Sequence, residues 1–216
     1  MNRLLDELGE PKEYFSKVYV QNLWGGILSR SGPGSEGDFA NQKIKVLTEI
    51  IADYEINSIL DIGCGDFYWM KEIAPLLDHY HGIDVVDDLV INNKKQYEGA
   101  KVSFQSIDVS KPDDQKLLNV RKVDLVTCLD VIGHLLNDEI DSLLSFILCD
   151  LEIKFLVVTN RREAASAYYL KRAKTRHEGI DLEQHPLFLK RKPVLLKQVP
   201  GLFPNDFFQL YSLVSE

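Results

Sequence analysis

Cysteine is scarce in this chain of 216 residues, and its three cysteines, Cys64, Cys128 and Cys149, show no metal-ligand spacing. A small, odd number of cysteines excludes a disulfide framework and is typical of a protein in a reducing compartment. Buried thiols that pack in the core are the simplest interpretation of these residues. Long apolar runs are also absent: none approaches the length of a membrane span, and the first seven residues are too charged for a signal peptide. These absences predict a cytoplasmic protein with no membrane span and no metal site.

The sequence has no excess of positive charge, because its net charge is −8 at pH 7. This balance argues against a general affinity for nucleic acids. The charge is uneven, however: residues 154–192 contain ten Lys or Arg against four Asp or Glu, a net of +6, which leaves −14 for the rest. Such a basic segment predicts a local anionic partner, and solvated helix faces are the alternative for most of its charges.

One stretch joins a short apolar run to a glycine turn. Residues 59–62 are typical of a buried parallel strand and lead directly into Gly63 and Gly65, which allow a tight turn and a ligand lying against bare main chain. A helical period begins at Trp69, in a helix that Pro75 is expected to disrupt, so the stretch predicts the first half of a nucleotide-binding βαβ unit. The dinucleotide fingerprint needs a third glycine, and residues 66–68 do not supply it.

Further apolar and helical stretches alternate along the chain, as in α/β proteins. Strands are predicted at 80–84, 102–107, 123–129 and 155–158, and two closing strands at 194–199 and 207–213. Helices are predicted at 38–54, 88–97 and 138–148. Asp38 is the expected N-cap of the first of these helices. In open parallel sheets ligands bind at the carboxyl ends of the strands, so functional residues are expected there.

The pattern Asp61-x-Gly63-x-Gly65 resembles the first motif of class I S-adenosylmethionine-dependent methyltransferases. Residues 64–70 and the late run 179–193 are similar to a small set of bacterial members linked to surface-glycan modification. The resemblance covers nearly the whole chain. It implies a three-layer, Rossmann-like fold with seven strands, mostly parallel, and a C-terminal antiparallel hairpin. It also implies a methyltransferase domain at 37–216, with residues 1–36 as a helical cap and Gly-rich loop over the cofactor.

The resemblance implies S-adenosylmethionine as the cofactor. Asp84 follows Asp61 by 23 positions, close to the ~20-residue interval expected for a carboxylate that binds ribose hydroxyls; capping of the next helix is the alternative. Ile107 and Asp108 match the adenine position, and a loop aspartate is the alternative. Trp24 and Arg30 would cover the ligand and clamp a carboxylate, unless their loop is a flexible linker. The predicted cofactor-binding residues are Trp24, Arg30, Asp61, Gly63, Cys64, Gly65, Asp66, Asp84, Ile107, Asp108 and Leu129.

Two further groups of residues are candidates for the chemistry. Asp130 and His134 follow the fourth predicted strand and share a face if the segment is helical. His134 or Asp130 would act as the general base, and a histidine packed under the cofactor is the alternative. Arg161 and Arg162 leave the fifth predicted strand at the rim of the site, and with His177 they are predicted to bind the acceptor.

These residues predict O-methylation of a small anionic acceptor such as a sugar phosphate, a nucleotide sugar or a surface-polysaccharide precursor. Methylation of tRNA or another nucleic acid through the basic segment is an alternative. So is a non-catalytic partner subunit that keeps the fold, and the missing third glycine counts against a nicotinamide-dependent dehydrogenase. The sequence leaves a homo-oligomer open.

Overall fold

The computed structural model describes residues 9–161, 181–201 and 206–214. Its centre is a seven-stranded sheet of order β3-β2-β1-β4-β5-β7-β6. The strands are β1 (Ser58–Ile62), β2 (His79–Asp84), β3 (Val102–Ser106), β4 (Lys122–Cys128), β5 (Glu152–Arg161), β6 (Val194–Pro200) and β7 (Asp206–Ser212). Strands β1 to β5 pair in parallel, whereas β7 is antiparallel to both β5 and β6. The predicted fold class, including the closing antiparallel hairpin, is confirmed.

The strand order reverses between β1 and β4, and the register brings their carboxyl ends together. Ile62, the last residue of β1, lies opposite Ile83 in β2 and Cys128 in β4. Three of the strands therefore end at one edge of the sheet. This is the topological switch point where open α/β sheets form their ligand crevice.

Helices cover both faces of the sheet because successive strand residues point to opposite sides. The helices are α1 (Pro11–Gln21), α2 (Gly37–Asp53), α3 (Asp87–Tyr97), α4 (Pro112–Gln115), α5 (Asn137–Ser145) and α6 (Pro186–Arg191). Ile59 packs in one core with Leu47 of α2 and Leu89 of α3. Its neighbour Leu60 packs in a second core with Leu143 of α5. Two apolar cores, one on each face, give the predicted three layers.

Two local expectations are wrong. The helix expected after the glycine turn is replaced by two short 3₁₀ turns, Met70–Glu72 and Ala74–Leu76. The interruption itself agrees with the expected effect of Pro75, whose ring and missing N–H disfavour a helix interior. Asp38 does not cap α2, since Glu36 occupies the N-cap position and Asp38 lies in the first turn. There its charge still complements the helix dipole.

Across the three described ranges, no helix combines the length and the apolarity that crossing a bilayer requires.

Candidate active site

A cavity of about 830 Å³ opens at the carboxyl ends of β1 to β4. Its volume lies within the ~300–1,000 Å³ that is typical of small-molecule sites. Its walls bring together all the predicted cofactor-binding and catalytic residues: Trp24, Arg30, Asp61, Gly63, Cys64, Gly65, Asp66, Asp84, Ile107, Asp108, Leu129, Asp130 and His134. Their roles stay predictions, but the fold places them around one cavity.

The turn after β1 can be built only with glycine at two positions. Gly63 and Gly65 have φ values of 71° and 55°, which disfavour residues with a side chain. A Cβ atom on Gly63 would lie 2.3 Å from Cγ2 of Val131, and one on Gly65 would lie 2.2 Å from Oγ of Ser31. The Gly63 amide donates to the carbonyl of Ile83 at 2.8 Å, which fixes the turn to β2. The cavity therefore has a wall of bare main chain.

Asp84 closes β2 and holds its carboxylate beside this turn. Its Oδ2 atom accepts a hydrogen bond from the Gly65 amide at 3.1 Å, and its Oδ1 atom accepts one from the Val86 amide at 3.0 Å. Burial raises the pKa of Asp84, while these amides act to lower it. Each carboxylate oxygen can accept a further hydrogen bond, so the group remains available to a ligand.

Asp61 is buried in β1, beneath the turn. Its carboxylate accepts hydrogen bonds from the hydroxyls of Tyr80 at 2.7 Å and Thr127 at 2.6 Å. Burial raises the pKa of Asp61 to about 6, and the two hydroxyls only partly oppose this effect. A buried, ionised carboxylate in the cavity wall is suited to a cationic group of a ligand.

Asp108 follows β3 and has one carboxylate oxygen without a hydrogen-bond partner among the described residues. Its Oδ1 atom accepts from the amide and the hydroxyl of Ser110, at 3.0 and 2.6 Å. Its Oδ2 atom is buried and accepts no hydrogen bond there, with the Lys111 ammonium 3.8 Å away. Leaving a buried acceptor unsatisfied is costly. A donor group of a ligand in the cavity would complete it.

A fourth aspartate, Asp66, holds the Gly-rich loop against the turn. Its Oδ1 atom accepts hydrogen bonds from the hydroxyls of Ser29 and Ser31, at 2.9 and 3.2 Å. Its Oδ2 atom accepts one from the Arg30 amide at 2.7 Å. The loop is therefore attached to the glycine turn through a side chain that sequence reasoning assigned to the cofactor.

Glu36 fixes the other side of the same loop. Its carboxylate accepts hydrogen bonds from the backbone amides of residues 27, 28 and 29, at 3.1, 2.5 and 2.9 Å. These amides lower the pKa of Glu36. Sequence reasoning missed this residue, because nothing local signals that a carboxylate will accept amides of a loop seven to nine positions away.

Trp24 and Arg30 line the cavity from the same loop. The Trp24 ring lies 5.5 Å from the His134 ring, centroid to centroid. One guanidinium nitrogen of Arg30 donates to the carbonyls of Tyr19 and Val20, each at 3.2 Å. That nitrogen binds the carboxyl end of α1, which orients the guanidinium across the loop.

Lys43 is a cavity residue that sequence reasoning missed. It lies on α2, its side chain is 9% exposed, and it forms an ion pair with Asp130. Its ammonium also lies 5.6 Å from the centroid of the Trp69 ring. The available signal was its spacing: Lys43 lies four residues before Leu47 and therefore falls on the apolar stripe of α2.

Asp130 and His134 both line the cavity, but not through helical spacing. Residues 132–134 form a short 3₁₀ turn, and Asp130 has a left-handed backbone with φ of 58°. The Asp130 amide donates to the hydroxyl of Thr159 in β5 at 3.2 Å. The loop after β4 is therefore connected to the end of β5.

The predicted acceptor residues stay predictions. Arg161 is the last residue of β5, and its backbone pairs with that of Asp206. Its side chain lies outside what the structure describes. Arg162 and His177 lie outside the described residues. Thr159, two positions before Arg161, lines the cavity.

Residues 60–151 match a family model described as a methyltransferase domain. This region is a methyltransferase domain. The chain therefore contains a methyltransferase domain, whose cofactor is S-adenosylmethionine. The unsatisfied Asp108 oxygen and the two glycines that exclude a Cβ atom fit such a ligand. No curated protein sequence matches the chain.

Solved structures with the same fold include three bacterial methyltransferases. The Anabaena variabilis S-adenosylmethionine-dependent methyltransferase is 11% identical with a TM-score of 0.69, and the match covers 98% of each chain. The N-methyltransferase NodS of Bradyrhizobium japonicum is 12% identical with a TM-score of 0.66, covering 91% of this chain and 98% of that one. Magnesium protoporphyrin IX methyltransferase of Synechocystis is 16% identical with a TM-score of 0.65, covering 93% and 95%. These similarities establish the fold.

Proposed function

We propose that this methyltransferase methylates an oxygen atom of a small anionic acceptor, such as a sugar phosphate, a nucleotide sugar or a surface-polysaccharide precursor. The observation that carries the cofactor pose is the order of groups along the cavity wall. The bare glycine turn, the Asp84 carboxylate and the unsatisfied Asp108 oxygen lie at the ends of β1, β2 and β3, which are neighbours in the sheet. This order suits the methionine, ribose and adenine parts of the cofactor.

Each of these groups has a specific role in holding the cofactor. Asp84 would accept hydrogen bonds from the ribose hydroxyls, and Asp108 would accept one from the adenine amino group. Asp61 and Arg30 would orient the amino and carboxylate ends of the methionine part. When bound, the cofactor supplies a methyl group on a positively charged sulfur. The carboxylates in the wall favour that positive charge electrostatically.

The cap contributes to the same cavity. Pro11, Phe15 and Tyr19 of α1 line it together with the Gly-rich loop. We infer that residues 1–36 act as the cover of the bound cofactor. Such a cover excludes water and holds the reacting groups in one geometry, which is how a methyltransferase accelerates an in-line displacement.

The acceptor would bind on the side of Asp130 and His134. One of these two side chains would take the proton of the acceptor hydroxyl. The basic segment of the sequence and the position of Arg161 at the end of β5 support an acceptor that carries negative charge. The similarity of residues 64–70 to bacterial glycan methyltransferases supports the polysaccharide-precursor class.

Binding of S-adenosylhomocysteine tests the cofactor pose. At ~100 times its dissociation constant it should stabilise the fold by about 2.7 kcal/mol. Asp84→Ala removes two charge-assisted hydrogen bonds, so affinity by calorimetry should fall by about 1.5–3 kcal/mol for each bond, with Asp88→Ala on the exposed face of α3 as the control. Unchanged affinity of Asp84→Ala would refute the ribose role. Stabilisation by a nicotinamide nucleotide instead would remove the cofactor assignment.

Transfer of a labelled methyl group identifies the acceptor. Pools of sugar phosphates, nucleotide sugars and tRNA would be incubated with the protein and labelled S-adenosylmethionine. We expect label in an alkali-stable methyl ether of a small anionic molecule. Label confined to tRNA, with a steep salt dependence of binding, would favour the nucleic-acid alternative.

A further inference from the structure

The cavity wall also contains several aromatic rings and one partly buried ion pair. The rings belong to Phe15, Tyr19, Trp24, Phe39 and Trp69. The ion pair joins Lys43 of α2 to Asp130 after β4. We propose that the ammonium of Lys43 binds the acceptor oxygen that becomes methylated, a role that rests on the methyl-transfer function proposed above.

The ammonium of Lys43 has hydrogen-bonding capacity left over. An ammonium carries three N–H donors. Among the described residues, Asp130 is the one hydrogen-bond acceptor that Lys43 contacts. The face of the Trp69 ring, 5.6 Å away, attracts the charge but accepts no conventional hydrogen bond. Because the side chain is only 9% exposed, water does not readily satisfy the remaining donors. An oxygen atom of a bound acceptor would do so.

The other cationic group described in the cavity wall is less suited to this role. Arg30 is exposed and donates from one guanidinium nitrogen to two carbonyls at the end of α1. Lys43 is buried, and the carboxylates facing it are Asp130 and, at longer range, Asp61. A buried ammonium interacts more strongly with a developing oxyanion than an exposed one, because less solvent screens it.

The position of the pair also fits the reacting end of the cofactor. Val131, the neighbour of Asp130, would clash with any Cβ atom on Gly63, at 2.3 Å. The residues after β4 therefore lie directly against the turn that would receive the methionine part. Lys43, through its contact with Asp130, lies on this side of the cavity and not at the adenine end near Asp108.

Asp130 and Lys43 together account for the proton and the charge that methyl transfer to a hydroxyl group requires. The acceptor O–H bond breaks and its proton goes to the Asp130 carboxylate, while Lys43 stabilises the oxygen anion. That oxygen forms the new O–C bond with the methyl carbon. The S–C bond breaks and its electron pair stays on the sulfur of S-adenosylhomocysteine. Asp130 then releases its proton to solvent.

A chromophoric phenol tests the role of Lys43 without knowledge of the natural acceptor. The probe is para-nitrophenol bound to the complex with S-adenosylhomocysteine, because its absorbance reports whether it is protonated. An ammonium in contact should lower the pKa of the bound phenol by about one to three units. We expect this shift in the native protein, its loss in Lys43→Met and its retention in Lys43→Arg. Lys45→Met, an exposed lysine two positions along α2, is the matched control and should keep the full shift.

The outcomes separate this proposal from the general function. Retained affinity for S-adenosylhomocysteine in Lys43→Met, with the phenolate shift lost, would support the role. If the shift is equal in native protein and Lys43→Met, or if the phenol does not bind the native complex, Lys43 has no acceptor role although the cofactor still binds. Failure of the native protein to bind S-adenosylhomocysteine would contradict the proposed function itself. If Lys43→Met does not fold, the double variant Lys43→Met/Asp130→Asn removes both charges, and its shift should also be lost.

Discussion

The buried carboxylate of Asp61 should reduce the stability of this fold near neutral pH. The residue is only 4% exposed, and both of its oxygen atoms contact neutral hydroxyls instead of a cation. Asparagine has nearly the same shape, and its amide can accept from one hydroxyl and donate to the other. We therefore expect Asp61→Asn to be more stable than the native protein at neutral pH and to bind the cofactor more weakly.

The magnitude follows from the pKa of Asp61. Burial raises it from the ordinary value of 3.8 to about 6. At about 1.4 kcal/mol per unit, this difference corresponds to a penalty of about 3 kcal/mol once the group is ionised. Between these two values the native state binds more protons than the unfolded state. The stability due to Asp61 is therefore fully present below about pH 4 and is lost as the pH rises through about 6.

Urea unfolding of native protein and Asp61→Asn across this pH range measures the difference directly. The two should have similar stability near about pH 4, and the variant should gain up to about 3 kcal/mol by about pH 7. Asp124→Asn is the control with the opposite sign. Burial acts to raise the pKa of Asp124, but Lys154, the Asn57 amide and Ser58 together lower it. A stability difference for Asp61→Asn that does not change with pH would refute the reasoning.

Two further substitutions test the loop and the turn. Gly65→Ala places a Cβ atom 2.2 Å from Ser31 Oγ at a φ of 55°. We expect a loss of about 1–2 kcal/mol or more in unfolding free energy and weaker binding of S-adenosylhomocysteine. Native values for both quantities would contradict the role of the turn. Glu36→Gln leaves one oxygen to accept the loop amides, so limited proteolysis between residues 25 and 35 should become faster with little change in Tm; unchanged cleavage would show that this carboxylate does not hold the loop.

Much of the fold could be predicted because the strands carry strong local signals. The runs at 59–62, 123–129 and 155–158 are mostly apolar, and in a parallel sheet buried on both faces this pattern has few alternatives. The carboxylates Asp84 and Asp108 could be found for the same reason, since they directly follow predicted strands. The helix expected after Trp69 is reduced to two short 3₁₀ turns, so Pro75 disrupts it more completely than the apolar periodicity indicates.

The residues that sequence reasoning missed act through distant contacts. Lys43 reaches Asp130 across 87 positions of sequence, and neither residue alone indicates the pair. Glu36 contacts backbone amides, which almost every residue has, so the residue types do not indicate which amides it will bind. The acceptor could not be predicted in detail, because its expected contacts are side chains on loops, and loops carry little periodic information.

Asp66 joins the glycine turn after β1 to the Gly-rich loop that precedes α2. Four hydrogen bonds connect this residue with residues 29–31, which lie 35 to 37 positions earlier in the chain. If residues 1–36 cover the bound cofactor as proposed, exchange of product for fresh donor on this side requires these bonds to open together. We therefore expect substitutions in residues 29–31 to alter how quickly ligands leave, even if the altered side chain touches none of them.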